Sequence, residues 1–179
     1  MARIPYIEEA TTSVDPALID VIKGTRGRLI NIYKLLLHTP KLASTWLAHV
    51  NATRETKLSG RMRELAIIRM AYNASYEYAL RQHIPVLAAR EGVKEPECAA
   101  LKNWRDSNLF DQRERAGLSY VDAMQQGPVV SDAVFEEMRK YFDVQETVEL
   151  TVIVGTYIMH HRVFTALGVD PEQTPTRTR

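Results

Sequence analysis

The chain has 179 residues, long enough for one well-buried domain and short for two. Lys+Arg (23) and Asp+Glu (22) nearly cancel, so no net field holds a polyanion, and nucleic acid is excluded as a partner. No apolar run approaches the roughly 20 residues that span a bilayer, so no membrane is expected. MARIPYIEEATT at the N-terminus has no apolar core like a signal peptide's. The single cysteine, Cys98, allows neither an internal disulfide nor a CxxC pair, which points to a reducing cytoplasm.

Eight glycines and eight prolines punctuate a helical periodicity rather than the alternation of strands, so the expected fold class is all-α. Asp15-Pro16 reads as an N-cap followed by proline at the first helical position, opening a short helix through about Ile22. Gly24 and Gly27 bracket the turn after it. Leu29, Ile32, Tyr33 and Leu36 recur at helical spacing, and Thr39-Pro40 starts a helix to about Thr53. Arg54, Lys57, Arg61 and Arg63 read as a solvated connection. Residues 61–89 form a long helical stretch stopped by Gly92, and 95–103 a short helix carrying Cys98 as a small buried hydrophobe. Asp111 with Glu114, and Asp143 with Glu146, have the spacing of capping boxes that open helices over 112–125 and 144–167. Between these, Gly127-Pro128 is a stop and Ser131 an N-cap, with Val130 and Phe135 as a hydrophobic staple. The whole makes one domain over 15–169, after an arm over 1–14 and before a disordered tail over 170–179. Glu64-Leu65-Ala66-Ile67-Ile68 with Tyr72 is echoed by Glu149-Leu150-Thr151-Val152-Ile153 with Tyr157, either as two related halves or as chance recurrence of a common helix pattern.

The stretch 61–89 carries the chemistry. As one straight helix it would hold Glu64 and His83 roughly 28 Å apart. Asn73-Ala74-Ser75, however, sets a helix-ending residue beside a helix-starting one, so the chain is expected to reverse there. An antiparallel hairpin then brings the carboxylate and the imidazole to one level. Tyr78 is spaced to flank His83, with Tyr76 and Glu77 at the turn. Pro85 removes a backbone donor and frees the carbonyl of Arg81, so the helix is locally irregular beside the imidazole. A carboxylate-oriented imidazole beside a phenol moves protons near neutral pH without metal or cofactor. The same trio also suits a buried polar cluster or a subunit contact, and the residues alone leave both readings open.

The run RELAIIRMAYNASYEYALRQHIPVLAAREG (63–92) resembles the signature of the carboxymuconolactone decarboxylase / AhpD-like superfamily. The likeness extends over about residues 20–168, through LINIYKLLLHTP (29–40), ERAGLSYVDAM (114–124) and VELTVIVGTYIMHHRVFTALGV (148–169). It implies an all-helical bundle assembled as a homo-oligomer, a trimer or hexamer, with Glu64 in the place of the family's carboxylate and His83 in that of its histidine. In the peroxidase branch a C-x-x-C pair precedes that histidine; here Tyr76 and Ala79 hold its places, so the thiol chemistry lacks its nucleophile. The branch without the pair decarboxylates a lactone acid. The resemblance therefore implies a cofactor-free lyase, or a related proton-transfer enzyme, whose partner is a small organic acid or lactone. His83 is then the acid, Glu64 its orienting partner and Tyr78 a donor to the developing oxyanion. Tyr76, Glu77 and Arg162 are assigned to substrate contacts, Arg162 by the bidentate fit of guanidinium to carboxylate. The alternatives are AhpD-like peroxide reduction, whose peroxiredoxin label travels with the superfamily, and a non-catalytic small-molecule-binding or structural protein. His160 and His161 point about 100° apart on a helix and cannot chelate one ion. They are expected at subunit contacts or at a helix C-terminus.

Overall fold

The computed structural model describes residues 1–9 and 14–172. The first helix, α1 (Pro16–Arg26), starts where expected: the Asp15 carboxylate accepts the Ala17 amide at 2.9 Å, and proline takes the first turn. It runs a turn beyond Ile22, because Gly24 is accommodated inside it and only Gly27 turns left-handed, at φ 77°. Short α2 (Asn31–Leu36) and longer α3 (Pro40–Ala52) follow. Ser59 caps α4 (Gly60–Asn73) by accepting the Met62 amide. The chain reverses into α5 (Glu77–Gln82), which continues without a break into a π-helix over His83–Ala88. The last turns of this run carry Pro85, whose missing amide and bulky ring disfavour α-helical closure, as the sequence predicts. The expected helix over 95–103 divides into α6 (Glu95–Ala100) and a 3₁₀ segment over Leu101–Asp106.

Both capping boxes form with reciprocal bonds, at the starts of α7 (Gln112–Gln126) and α9 (Val144–Leu167). Ser131, by contrast, gives no side-chain cap to α8 (Asp132–Arg139). Of the expected staple, Val130 packs on the core while Phe135 stays 37% exposed beside the Tyr120 ring. Among the described residues there is no strand, and no helix is long and apolar enough to cross a membrane.

Two apolar clusters organise the bundle. The larger gathers α4, α6, the 3₁₀ segment, α7, α8 and the first part of α9; the smaller gathers α1, α2, α3, the inner face of α5 and Phe164 near the end of α9. Helix α4 is buried almost throughout and meets both. The basic residues expected to form a solvated connection instead tie these elements together. Arg61 bonds Glu97 at 2.7 Å, Glu114 at 2.6 Å and the Gly92 carbonyl at 3.0 Å. Arg63 is buried against Glu91 at 2.7 Å, and Lys57 pairs with Asp143. The densest tie is Asp122, 4% exposed, which accepts from Arg69 (2.6 Å), Arg105 (2.6 Å), Asn73 (2.9 Å) and Trp104 (3.0 Å). Burial pushes its carboxyl up, but these donors outweigh burial and hold it below the ordinary range. The echoed glutamates do different work: Glu149 caps the Lys57 and Leu58 amides, whereas Glu64 lies in the interior.

Residues 170–172, expected in a disordered tail, are bonded into the fold, and 173–179 lie outside the described residues. Asp170 accepts from the N-terminal ammonium and the Tyr6 hydroxyl, and Glu172 from the Tyr78 hydroxyl and the Asn31 amide. His161 is likewise not a surface residue. It is 3% exposed, neither ring nitrogen has a partner, and its imidazole is pushed down to about 3, by burial first and then by the nearby charge of His83.

Two outcomes follow from these buried groups. Asp122→Ala strands Arg69 beside an empty carboxylate site and is expected to cost on the order of 3–5 kcal/mol, read as a lowered urea-unfolding midpoint. For His161 the folded imidazole stays neutral while the unfolded one protonates near its ordinary value of about 6.5. Its contribution is therefore fully present above pH 6.5 and drains away as pH falls toward 3, by up to about 1.4 kcal/mol per pH unit. His161→Met is expected to flatten the fall in Tm between pH 7 and pH 5.

Candidate active site

The reversal after α4 is built from three backbone features. Ser75 adopts φ 50°, the Tyr76 amide donates to the Ala71 carbonyl at 2.9 Å, and the Ala74 amide donates to Met70 at 3.0 Å. Asn73 is pinned from outside, its amide nitrogen donating to Asp122 (2.9 Å) and Gln125 (2.7 Å) on α7. The hairpin this produces sets His83 Nδ1 at 2.6 Å from Glu64 Oε2. Both side chains are buried, at 7% and 2% exposure. Burial pushes the Glu64 carboxyl up, yet His83, then Arg63 and Arg54, outweigh it and hold the group below the usual carboxylate range. Glu64 is thus an ionised acceptor, so Nδ1 carries the proton and Nε2 is the imidazole nitrogen left for chemistry.

His83 lines a cavity of about 160 Å³ at the seam between the two apolar clusters. Its wall comes from the end of α1, α2, the end of α3, α5 with its π-helical continuation, and α9. Four arginines, Arg26, Arg54, Arg81 and Arg90, line it, and no carboxylate does. Arg26 donates to the Tyr33 hydroxyl at 3.3 Å and Arg81 is held by Glu77. Among the described residues the Arg54 side chain has no hydrogen-bond partner. Tyr157 of α9 presents its ring edge-on to His83, with centroids 5.9 Å apart, and burial raises its phenol above the ordinary value. His160 stacks on Tyr157 at 5.5 Å; its imidazole is pushed down to about 3, by burial and then by His161, His83 and Arg26, so it is neutral at pH 7.

The residues singled out from sequence divide accordingly. Glu64 and His83 meet as expected. Tyr78 lines the cavity, but its hydroxyl donates to Glu172 at 2.9 Å rather than standing free beside the imidazole. Tyr76 lies outside the cavity wall, stacked on Tyr78 (5.9 Å) and close to His161 (4.8 Å). Glu77 points outward, its side chain 65% exposed and paired with Arg81, because neighbours on a helix are about 100° apart and Tyr78 takes the inner face. Arg162 is exposed at a separate groove with Arg69, Asn73 and Gln125, away from His83. The histidine pair is interior, not at the helix end: His160 faces the cavity and His161 the bundle. Sequence reasoning passed over Arg26, Arg54, Arg90, Tyr157 and His160. Only the last two left a usable sign, being three apart on one helix and so on one face. Cys98 is 1% exposed in the larger cluster, and burial pushes its thiol up, away from the reactive range.

Comparison with known proteins matches this geometry to relatives. Residues 40–123, spanning α3 through most of α7, match the Carboxymuconolactone decarboxylase family. The uncharacterized protein YnjA of Escherichia coli (strain K12) is 29% identical over 112 residues, covering 62% of this chain and 61% of YnjA, so the match spans about three fifths of that relative. Among solved structures, an AhpD-core, peroxidase-related protein from Ralstonia eutropha JMP134 superimposes with a TM-score of 0.82 at 19% identity, over 96% of this chain and 93% of that one. A cysteine-to-alanine variant of the debrominase Bmp8 in complex with 2,3,4-tribromopyrrole gives 0.76 at 18% identity, over 97% and 95%. At such identities the structures establish the fold, and the family match establishes the lineage of the segment that carries Glu64 and His83. Residues 40–123 are thus similar to the Carboxymuconolactone decarboxylase family, and the fold as a whole is that of AhpD-like structures.

Proposed function

We propose that the protein is a cofactor-free proton-transfer enzyme, a lyase of the decarboxylase type, acting on a small organic acid or lactone in the His83 cavity. The observation that carries this reading is the buried Glu64–His83 hydrogen bond on the wall of a cavity lined by arginines and no carboxylate. A space of 160 Å³ is close to that of an engineered cavity known to admit one benzene, and Bmp8, of the same fold, holds a small ring compound in its complex.

In this mechanism the arginines draw in an anion, and Arg54, whose side chain has no hydrogen-bond partner among the described residues, grips its carboxylate. As the bond to the departing carboxylate breaks, its electron pair stays on the substrate carbon and spreads onto a neighbouring carbonyl oxygen, while CO2 leaves. The Tyr157 hydroxyl, kept protonated by burial, donates to that oxygen. This role passes to Tyr157 from Tyr78, whose own proton is given to Glu172. His83 delivers a proton from Nε2 to the carbon and regains one from water, while Glu64 holds the ring through Nδ1. Thiol-based peroxide reduction draws no support here, because Tyr76 and Ala79 stand where a cysteine pair would be and Cys98 lies in the core.

The reading is tested by CO2 release from a panel of small carboxylated lactones and ring acids. His83→Ala is expected to lower turnover by a factor on the order of 10²–10⁴ with the helical circular dichroism unchanged. If wild type and His83→Ala release CO2 equally, or neither does while both bind the acids alike, the enzyme reading fails and a binding protein remains. Arg54→Ala is expected to raise KM on the order of tenfold or more with a smaller change in kcat, because it removes a contact made before and during reaction.

A further inference from the structure

Beside the His83 cavity lies a surface groove lined by Arg28, Asn31, Lys34, Arg81 and the segment Asp170–Glu172. Arg81 lines both spaces, and Tyr78, on the cavity wall, gives its hydroxyl to Glu172 on the groove side. Although Glu172 lies beyond the last helix, its side chain is only 7% exposed. Three groups from distant parts of the chain converge on its carboxylate. The Tyr78 hydroxyl (2.9 Å) and the Asn31 amide (2.6 Å) donate to Oε1, and the Arg28 guanidinium pairs with Oε2 at 3.4 Å. Burial, then the charge of Glu172, raises the Tyr78 phenol well above its ordinary value, so it stays a donor. The other carboxylates of the groove are engaged elsewhere: Glu8 with Lys34 and Glu9 with Lys23, both at 2.7 Å, and Asp170 with Tyr6.

Donors already closed on a carboxylate show which ligand they fit, and leaving a buried phenol without its acceptor is costly. The contact that holds Glu172 is made by its side chain. Its segment is anchored separately by Asp170, whose carboxylate accepts from the Tyr6 hydroxyl and the Ala2 amide and whose carbonyl accepts from the Asn31 side chain, each at 3.0 Å. Glu172 can therefore swing out while that anchor stays in place. We infer that the groove holds a second carboxylate-binding site, whose resting occupant is Glu172 and which takes the carboxylate of a small organic acid in exchange. One carboxylate then replaces another against the same donors, so the charge balance of the groove is kept. The captured acid touches Tyr78 and lies near Arg81, both of which line the His83 cavity. If Glu172 served only to cap the first amide of α2, its removal would leave these donors empty and no acid would fill them. The inference shares with the proposed function only the class of ligand, and its readout is binding, which is measured whether or not CO2 is released.

The test is isothermal titration of the full chain with benzoate, and with benzamide as its uncharged analogue. Glu172→Ala vacates the site and is expected to bind benzoate about tenfold more tightly than wild type. A site filled about nine-tenths of the time by its own carboxylate shows its intrinsic affinity reduced by the free fraction. Benzamide is expected to show no such gain. Glu172→Gln keeps the length and an acceptor oxygen while losing the charge; it serves where the alanine variant fails to fold, and is expected to show part of the gain. Acetate, which replaces the atoms lost in Glu172→Ala, is expected to raise the Tm of that variant above its value in chloride at equal ionic strength, with no such difference for wild type. Adding Tyr78→Phe to Glu172→Ala is expected to remove most of the gain, because a donor to the bound carboxylate is gone. The inference is overturned if both Glu172 variants bind benzoate no more tightly than wild type, absence of binding by all three included, or if benzamide gains as much as benzoate.

Discussion

Glu64 and His83 are separated by 19 residues, and what joins them is a turn made of ordinary parts. The Tyr76 amide returns to the Ala71 carbonyl, Ser75 accepts a left-handed φ, and Asn73 is held to α7 by Asp122 and Gln125. Without that reversal α4 and α5 would be one rod, and the carboxylate would be as far from the imidazole as the rod is long. The turn costs backbone strain at a non-glycine residue, and the Asp122 network, bonded to four side chains, is the counterweight on its outer side. The Glu64–His83 geometry and the Asp122 polar cluster are therefore one construction.

Charge is segregated across the imidazole. On the inner side stands an ionised, buried Glu64 with Arg63 beside it; on the cavity side stand arginines. His83 stands between the two fields, donating to the carboxylate through Nδ1 and lining the cavity with the arginines. An anion entering the cavity completes a balance that the protein alone leaves open. The two histidines of α9 add no charge to that side, since burial keeps them neutral, and His160 offers a hydrogen-bonding ring where a fifth cation would otherwise crowd the cavity.

Features with local causes were legible in the sequence. The two capping boxes, the Asp15-Pro16 start, the Gly92 and Gly168 stops and the break at Asn73 each depend on residues within a few positions of one another, and all are present. Features that depend on distant partners were not. Arg61, Arg63 and Arg54 form a basic run in sequence, and nothing in that run reveals that one ties three helices, one is buried and one faces the cavity. Tyr78 shares the cavity wall with His83, but its partner Glu172 comes from the far end of the chain. Glu77 and Tyr76 were drawn into the site by adjacency in sequence, which on a short helix sends neighbours to different sides.

The π-helical segment over His83–Ala88 fixes more than the orientation of one ring. A π-turn holds one residue more than an α-turn for the same advance, and here the widened turn begins at His83 itself. Removing a single position would let the ladder close in the tighter form, keeping the residues after the segment in phase with those before it and turning the side chains inside it. The length of this stretch therefore shapes the backbone that presents the imidazole to Glu64 as much as its side chains do.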